Sequence, residues 1–222
     1  MGIPEEVFKF LKKIAKNNNK EWFLEHKSTF DDRHNEFKGF LAEVNAELIK
    51  TDEIDSHRAY RIYRDVRFSK DKTPYKSHFS GFYKRGSAEK RGGYFVHIQP
   101  GNSYVGGGFY GPNKEDLLRI RQEFSLAPQE IREVLGNKEF KKTFGAIRGE
   151  EVKTAPRGFE IEDPAIDLIR KKQFYVLREF TDEEVLSSDF LEQVNHSFKV
   201  IRPYFDYMSL VLTTDLNGES TL

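Results

Sequence analysis

Cysteine is absent from all 222 residues, which excludes disulfide staples, thiolate metal centres, iron–sulfur clusters and cysteine nucleophiles together. Long apolar runs are missing too, since no stretch approaches the ~18 apolar residues of a membrane-spanning helix. The opening Met1-Gly2-Ile3-Pro4-Glu5-Glu6-Val7 lacks the basic and apolar regions of a secretory leader. These absences set the expectation of a cytoplasmic protein with no membrane partner. The six histidines show no H-E-x-x-H and no two-His-one-carboxylate spacing, so no metal site is expected. No cofactor is indicated. G-x-G-x-x-G before a helix, G-x-x-x-x-G-K-[ST] and G-x-S-x-G are all lacking, which removes dinucleotide-fold, P-loop and nucleophile-elbow readings.

What remains is rich in rings and charge. Twenty Phe and ten Tyr supply bulk for a core in a chain of low mean hydropathy, −0.68. Lys and Arg balance Asp and Glu at 36 each, but residues 58–91 hold eleven Lys or Arg against Asp65, Asp71 and Glu89, a net +8 that the remainder must offset with −8. Such polarity can focus an anion on one region without making the protein basic overall.

Hydrophobic spacing predicts a helix over 4–17 through Val7, Phe8, Leu11 and Ile14. Asn18 with Glu21 resembles a capping box opening a long helix to about residue 50, on which Phe23, Phe30, Phe37 and Val44 repeat every seven residues. The period then drops to two, predicting strands at about 60–65, 78–85, 93–99 and 103–110. Helices are expected at 113–125, 128–135 and 137–144, then a connection to 164, a helical stretch at 165–172 and a strand at 173–180. A last helix runs over 182–212, with Pro203 as a candidate break, and a polar tail follows. Short connections favour hairpins. The expected fold is therefore a single α+β domain over 1–222: an antiparallel sheet of about five strands packed by a long N-terminal helix and C-terminal helices, one sheet face left for a site.

Chemistry concentrates in Arg61-Ile-Tyr-Arg64-Asp65-Val-Arg67-Phe68-Ser-Lys70-Asp71-Lys72-Thr-Pro74-Tyr75-Lys76-Ser77-His78. Each guanidinium offers paired N–H donors that fit carboxylate or phosphate oxygens, so the cluster reads as an anion cradle of Arg61, Arg64, Arg67 and Lys72. Asp65 would orient the arginines or act as a base, and Tyr75, His78 or His97 would exchange protons. The competing reading is an Arg–Asp lattice that only holds the sheet, with Tyr75 a packed ring and His97 a hydrogen-bonded structural histidine. On a strand, alternation separates Arg64 from Arg61 and Asp65, making Arg64 the better structural anchor. Gly106-Gly107-Gly108 costs a strand packing and entropy. Either a helix or backbone lies tight against it, or Gly107 forms a ligand floor. Tyr60, Tyr63, Phe79, Phe82 and Tyr83 interleave with the cations, as in single-strand nucleic-acid binders, although the sequence pI near 7.0 and the lack of a recognition motif argue against that partner. Two functions are carried forward. One is binding or turnover of a small anionic ligand, phosphorylated ligands included; the other is a noncatalytic module whose basic face meets an acidic protein or nucleic acid. Neither fixes an oligomeric state.

The run R-x-x-R-D-x-R-F-x-x-D-K-x-x-Y from Arg61 to Tyr75 resembles the signature of a family of uncharacterised bacterial and fungal proteins, classed as a domain of unknown function. Asn17-Asn18-Asn19-Lys20-Glu21-Trp22-Phe23, the Gly106 to Gly108 strand and Ala155-Pro156-Arg157-Gly158-Phe159 are similar to its recurrent stretches. Glu162-Asp163-Pro164 departs from an expected Asp-His-Pro, so no histidine role carries over there. The resemblance implies no activity.

Overall fold

A computed structural model describes every residue from Met1 to Leu222. It holds nine helices and a five-stranded antiparallel sheet in the order β1-β2-β3-β4-β5, so the α+β expectation stands. The strands are β1 Ile54–Ala59, β2 Phe79–Arg85, β3 Gly93–Ile98, β4 Ser103–Phe109 and β5 Phe174–Phe180. The helices are α1 Glu5–Lys16, α2 Lys20–Glu25, α3 Lys27–Leu48, α4 Lys114–Leu126, α5 Pro128–Gly136, α6 Lys138–Phe144, α7 Ile166–Ile169, α8 Asp182–Leu186 and α9 Phe190–Thr213. No helix is long and apolar enough to cross a membrane. The chain forms two compact units: Met1–Tyr83 with Phe95–Val105 and Glu179–His196, and Lys84–Tyr94 with Gly106–Arg178 and Ser197–Leu222.

In the first unit, the apolar stripes of α1 and α3 converge on β2. Phe79 packs against Phe10, Phe30 and Phe37 at ring-centroid distances of 6.3, 6.1 and 5.6 Å. Tyr83 donates its hydroxyl to the Leu41 carbonyl at 3.0 Å. Each such buried ring contributes roughly 1.5–3 kcal/mol. Because side chains alternate along a strand, turning Phe79, Gly81 and Tyr83 toward α3 sends His78, Ser80 and Phe82 to the opposite face. In β3, Val96 and Ile98 are fully buried, and Phe95 and His97 take that same opposite side.

Several boundaries differ from the sequence expectation, among them the last helix, which is two, α8 and α9, separated at residues 187–189. The long helix is interrupted at His26, whose backbone leaves helical geometry (φ −107°, ψ 18°) while its ring stacks on Trp22 at 4.0 Å and its Nδ1 bonds the Trp22 carbonyl at 2.9 Å. A side chain that satisfies a backbone carbonyl locally competes with the helical ladder. The cap of α2 is Asn19, which accepts from the Trp22 N–H at 2.9 Å, rather than Asn18. The first strand lies at Ile54–Ala59 and not at 60–65. Its Asp55, Ser56, His57 and Arg58 are exposed, as suits an edge strand that must resist further pairing.

In the second unit, α9 passes through Pro203 unbroken. Phe198, Ile201, Tyr204, Phe205 and Met208 are all fully buried, enough to outweigh the ~3 kcal/mol a mid-helix proline costs. Tyr94 sits 4.8 Å from Phe198 and 5.0 Å from Phe205. Arg85 is only 1% exposed, and its guanidinium is paired with Asp206 at 2.7 Å and bonded to Ser209 at 3.3 Å. The glycine triplet serves close packing. A Cβ on Gly107 would overlap the Gly93 carbonyl oxygen and come within 2.8 Å of the Phe205 ring, and one on Gly106 would overlap the Val176 carbonyl oxygen. Gly107 is thus buried beneath α9.

Candidate functional site

The segment from Arg61 to His78 is a constrained loop rather than a strand and turn. Tyr63 and Tyr75 form an isolated antiparallel bridge, with the Arg64 N–H on the Pro74 carbonyl at 2.9 Å and the Lys76 N–H on the Ile62 carbonyl at 2.8 Å. Tyr75 is 5% exposed and stacks on Phe23 at 4.0 Å. Burial raises its hydroxyl pKa. Asn18 brackets its backbone from the other side.

Three of the expected anion ligands are engaged within the loop itself. Arg64 pairs with Asp71 and bonds the Thr73 hydroxyl, and this holds the Asp71 carboxyl down to about 2. Arg67 forks onto Asp65 at 3.0 and 2.6 Å, lowering the Asp65 carboxyl, and Lys72 donates to the Val66 carbonyl at 2.9 Å. Arg61 is exposed and makes no ion pair.

Two expected proton carriers do come together. His78 and His97 lie with ring centroids 4.3 Å apart on the face turned away from α3. His97 stacks on Tyr104 at 4.4 Å, nearly parallel at 7°, and its Nε2 donates to Gln99 Oε1 at 3.1 Å, which leaves Nδ1 as the acceptor. Phe95 continues the row 6.0 Å from Tyr104. Tyr60 follows at 6.2 Å from Phe95 and 5.7 Å from Phe82. Tyr60, Phe82, Phe95 and Tyr104 are each half-buried, so their rings form a partly open apolar surface.

Cations border this row. The Arg58 guanidinium covers Phe82 at 5.1 Å and Tyr60 at 5.8 Å. Lys76, two residues before His78 on the same side, places its ammonium 5.5 Å from the Tyr60 centroid and donates to the Arg61 carbonyl at 2.9 Å. It has no carboxylate partner. Burial, then the nearby Arg61 charge, lowers the Lys76 pKa. Burial, followed by His97, Lys76 and Arg64, depresses His78 to about 4. Burial likewise lowers His97. The groups acting on His78 by charge are therefore all bases, and both imidazoles are neutral at pH 7. No three His, Asp or Glu side chains converge as a metal ion would require.

The family model described as conserved hypothetical protein (DUF2461) matches residues 6–207. The chain belongs to this family. No curated protein and no solved structure matches it. The matched stretch of this DUF2461 chain contains the whole loop, both histidines and the aromatic row.

Sequence reasoning missed several members of that row. Lys76 stands inside the basic run with no signal of its own; its place beside Tyr60 and His78 comes from the path of the loop that precedes β2. Phe95 shares the His97 face by strand alternation, but neither it nor Tyr104 carries a signal that it is part of a site. Their partial exposure depends on which strand face the helices cover, and composition does not reveal that.

Proposed function

We propose that the sheet face bearing His78 and His97 binds a small anionic ligand that carries a planar ring. The observation behind this reading is Lys76, a half-buried ammonium with a carbonyl and a ring for neighbours but no carboxylate. An ammonium so placed gains most from an incoming anion, because solvation is poor and no counter-charge must first be displaced. Arg61 and Arg58 border the same niche as exposed cations. The half-open rings of Phe95, Tyr104, Tyr60 and Phe82 offer stacking surface, worth about 1–3 kcal/mol per stacked base in comparable sites. Neutral His78, depressed to about 4, is a weak base in the free protein and serves the niche as a hydrogen-bonding group, gaining basicity only when an anion binds beside it. In this reading Arg64, Arg67, Asp65, Lys72 and Tyr75 shape the loop, and Gly107 packs the sheet.

Isothermal titration with AMP, adenosine and inorganic phosphate tests the proposal. AMP should bind more tightly than either fragment, and Lys76→Gln should lose most of the phosphate contribution. Equal weak binding of AMP by both proteins would sink it.

A further inference from the structure

Phe68 is 97% exposed and touches no other ring, yet the loop carrying it is firmly built. The Ser69 N–H reaches the Val66 carbonyl at 3.3 Å, Asp71 accepts from the Thr73 N–H at 2.9 Å and its hydroxyl at 2.8 Å, and Arg64 closes the base on Asp71. A ring presented by such a loop loses little conformational freedom on docking. Lys70 and Lys72 flank it, both exposed and without a carboxylate partner. Arg67 is neutralised by Asp65.

The second unit carries a surface of opposite character. A groove of about 630 Å³ is lined by Leu126, Phe159 and Leu216 together with Glu160, Glu162 and Asp163. Leu126 is 67% and Leu216 47% exposed. Asp163 is engaged by the Ser125 hydroxyl and the Ala165 N–H, but Glu160 and Glu162 are exposed and make no ion pair. The groove is open to solvent, and its volume leaves room for a phenyl ring and its neighbours.

We propose that Phe68 of one copy of this chain docks in the Leu126–Phe159–Leu216 groove of a second copy, with Lys70 and Lys72 facing Glu160 and Glu162. A lipid surface is the poorer occupant, because one ring and two lysines without carboxylate partners, Lys72 already bonded to the Val66 carbonyl, contribute about 1 kcal/mol per cation and make a marginal anchor. The groove's Leu126, Phe159 and Leu216 side chains offer the ring an apolar surface flanked by carboxylates. The pattern of a +8 segment balanced by −8 elsewhere in a neutral chain favours head-to-tail approach of like copies. Such a contact is heterologous, so each added copy brings another free knob or groove. The interface is small, well under the ~1,200–2,000 Å² of stable complexes, and assembly is weak and concentration-dependent. This inference does not rest on ligand binding at the histidine face.

Sedimentation equilibrium over a concentration series tests it. The wild-type mass should rise above the 26.0 kDa of one chain with concentration and fall back with added salt. Phe68→Ser should remain a single chain, as should Lys70→Glu combined with Lys72→Glu, which leaves the ring intact. Glu160→Lys combined with Glu162→Lys should also stay single. Mixing Phe68→Ser with the groove variant should restore pairs that stop at two copies, since one partner offers only a groove and the other only a knob. A wild type that keeps the mass of one chain throughout would overturn the proposal. So would a Phe68→Ser protein that assembles like the wild type, or a mixture that fails to pair.

Discussion

The side-chain amide of Asn18 holds both backbone groups of Tyr75, donating to its carbonyl at 2.8 Å and accepting its N–H at 3.0 Å. Two segments 57 residues apart are joined at this point, and Tyr75 is thereby fixed against Phe23. Asn18→Ala leaves a part-buried N–H and C=O without partners, at a cost of about 1–3 kcal/mol. Urea denaturation should show that loss as a lower midpoint with an unchanged slope.

Lys76 is a place where stability and binding should separate. Replacing a poorly solvated ammonium by an apolar chain of similar shape removes a desolvation cost. Lys76→Met should keep or raise the melting temperature while weakening AMP about 10–100-fold, the loss expected for one charge-assisted hydrogen bond. Calorimetric melting and titration of the same preparation check both halves.

The histidine pair makes stability depend on pH. His78 has a folded pKa of about 4 against an ordinary 6.5, so between these values the unfolded chain takes up a proton that the folded chain refuses. The contribution is complete above pH 6.5 and is lost as pH falls toward 4. Allowing for screening of a partly exposed ring, the loss is about 1–2 kcal/mol. His97 and His34 are depressed in the same direction, so His78→Gln should flatten the decline without abolishing it. Denaturant midpoints measured at several pH values would show this.

Gly107→Ala tests the packing role of the glycine strand. The new methyl clashes with both the Gly93 carbonyl oxygen and the Phe205 ring, and overpacking of this kind costs about 1–3 kcal/mol or more. Gly111→Ala, where a Cβ meets nothing within 4 Å, is the control and should melt close to wild type.

The sequence made some of this architecture legible and concealed the rest for identifiable reasons. The amphipathic repeat of α1 and the two-residue period around Phe79, Tyr94 and Val105 survive into the structure because one face of each meets a core. Ile54–Ala59 escaped notice since a polar edge strand lacks that alternation. The stretch 60–65 looked like a strand by its rings, but after Tyr60 it turns from the sheet to pair with Pro74–Lys76. In the basic run, the kinds of donors and acceptors could be read but not who pairs with whom: Asp71, rather than Asp65, takes Arg64. Placing His78 beside His97 required the strand pairing itself.

The imidazole titration of His78, followed by nitrogen NMR in the free protein and with saturating AMP or UMP, tests the binding account most directly. A bound phosphate beside His78 favours its charged form, so its pKa should rise from about 4 toward the ordinary histidine range, with His97 shifting alongside. If the His78 titration is unchanged by either nucleotide and its resonances do not move, the face does not bind such ligands and the account is contradicted.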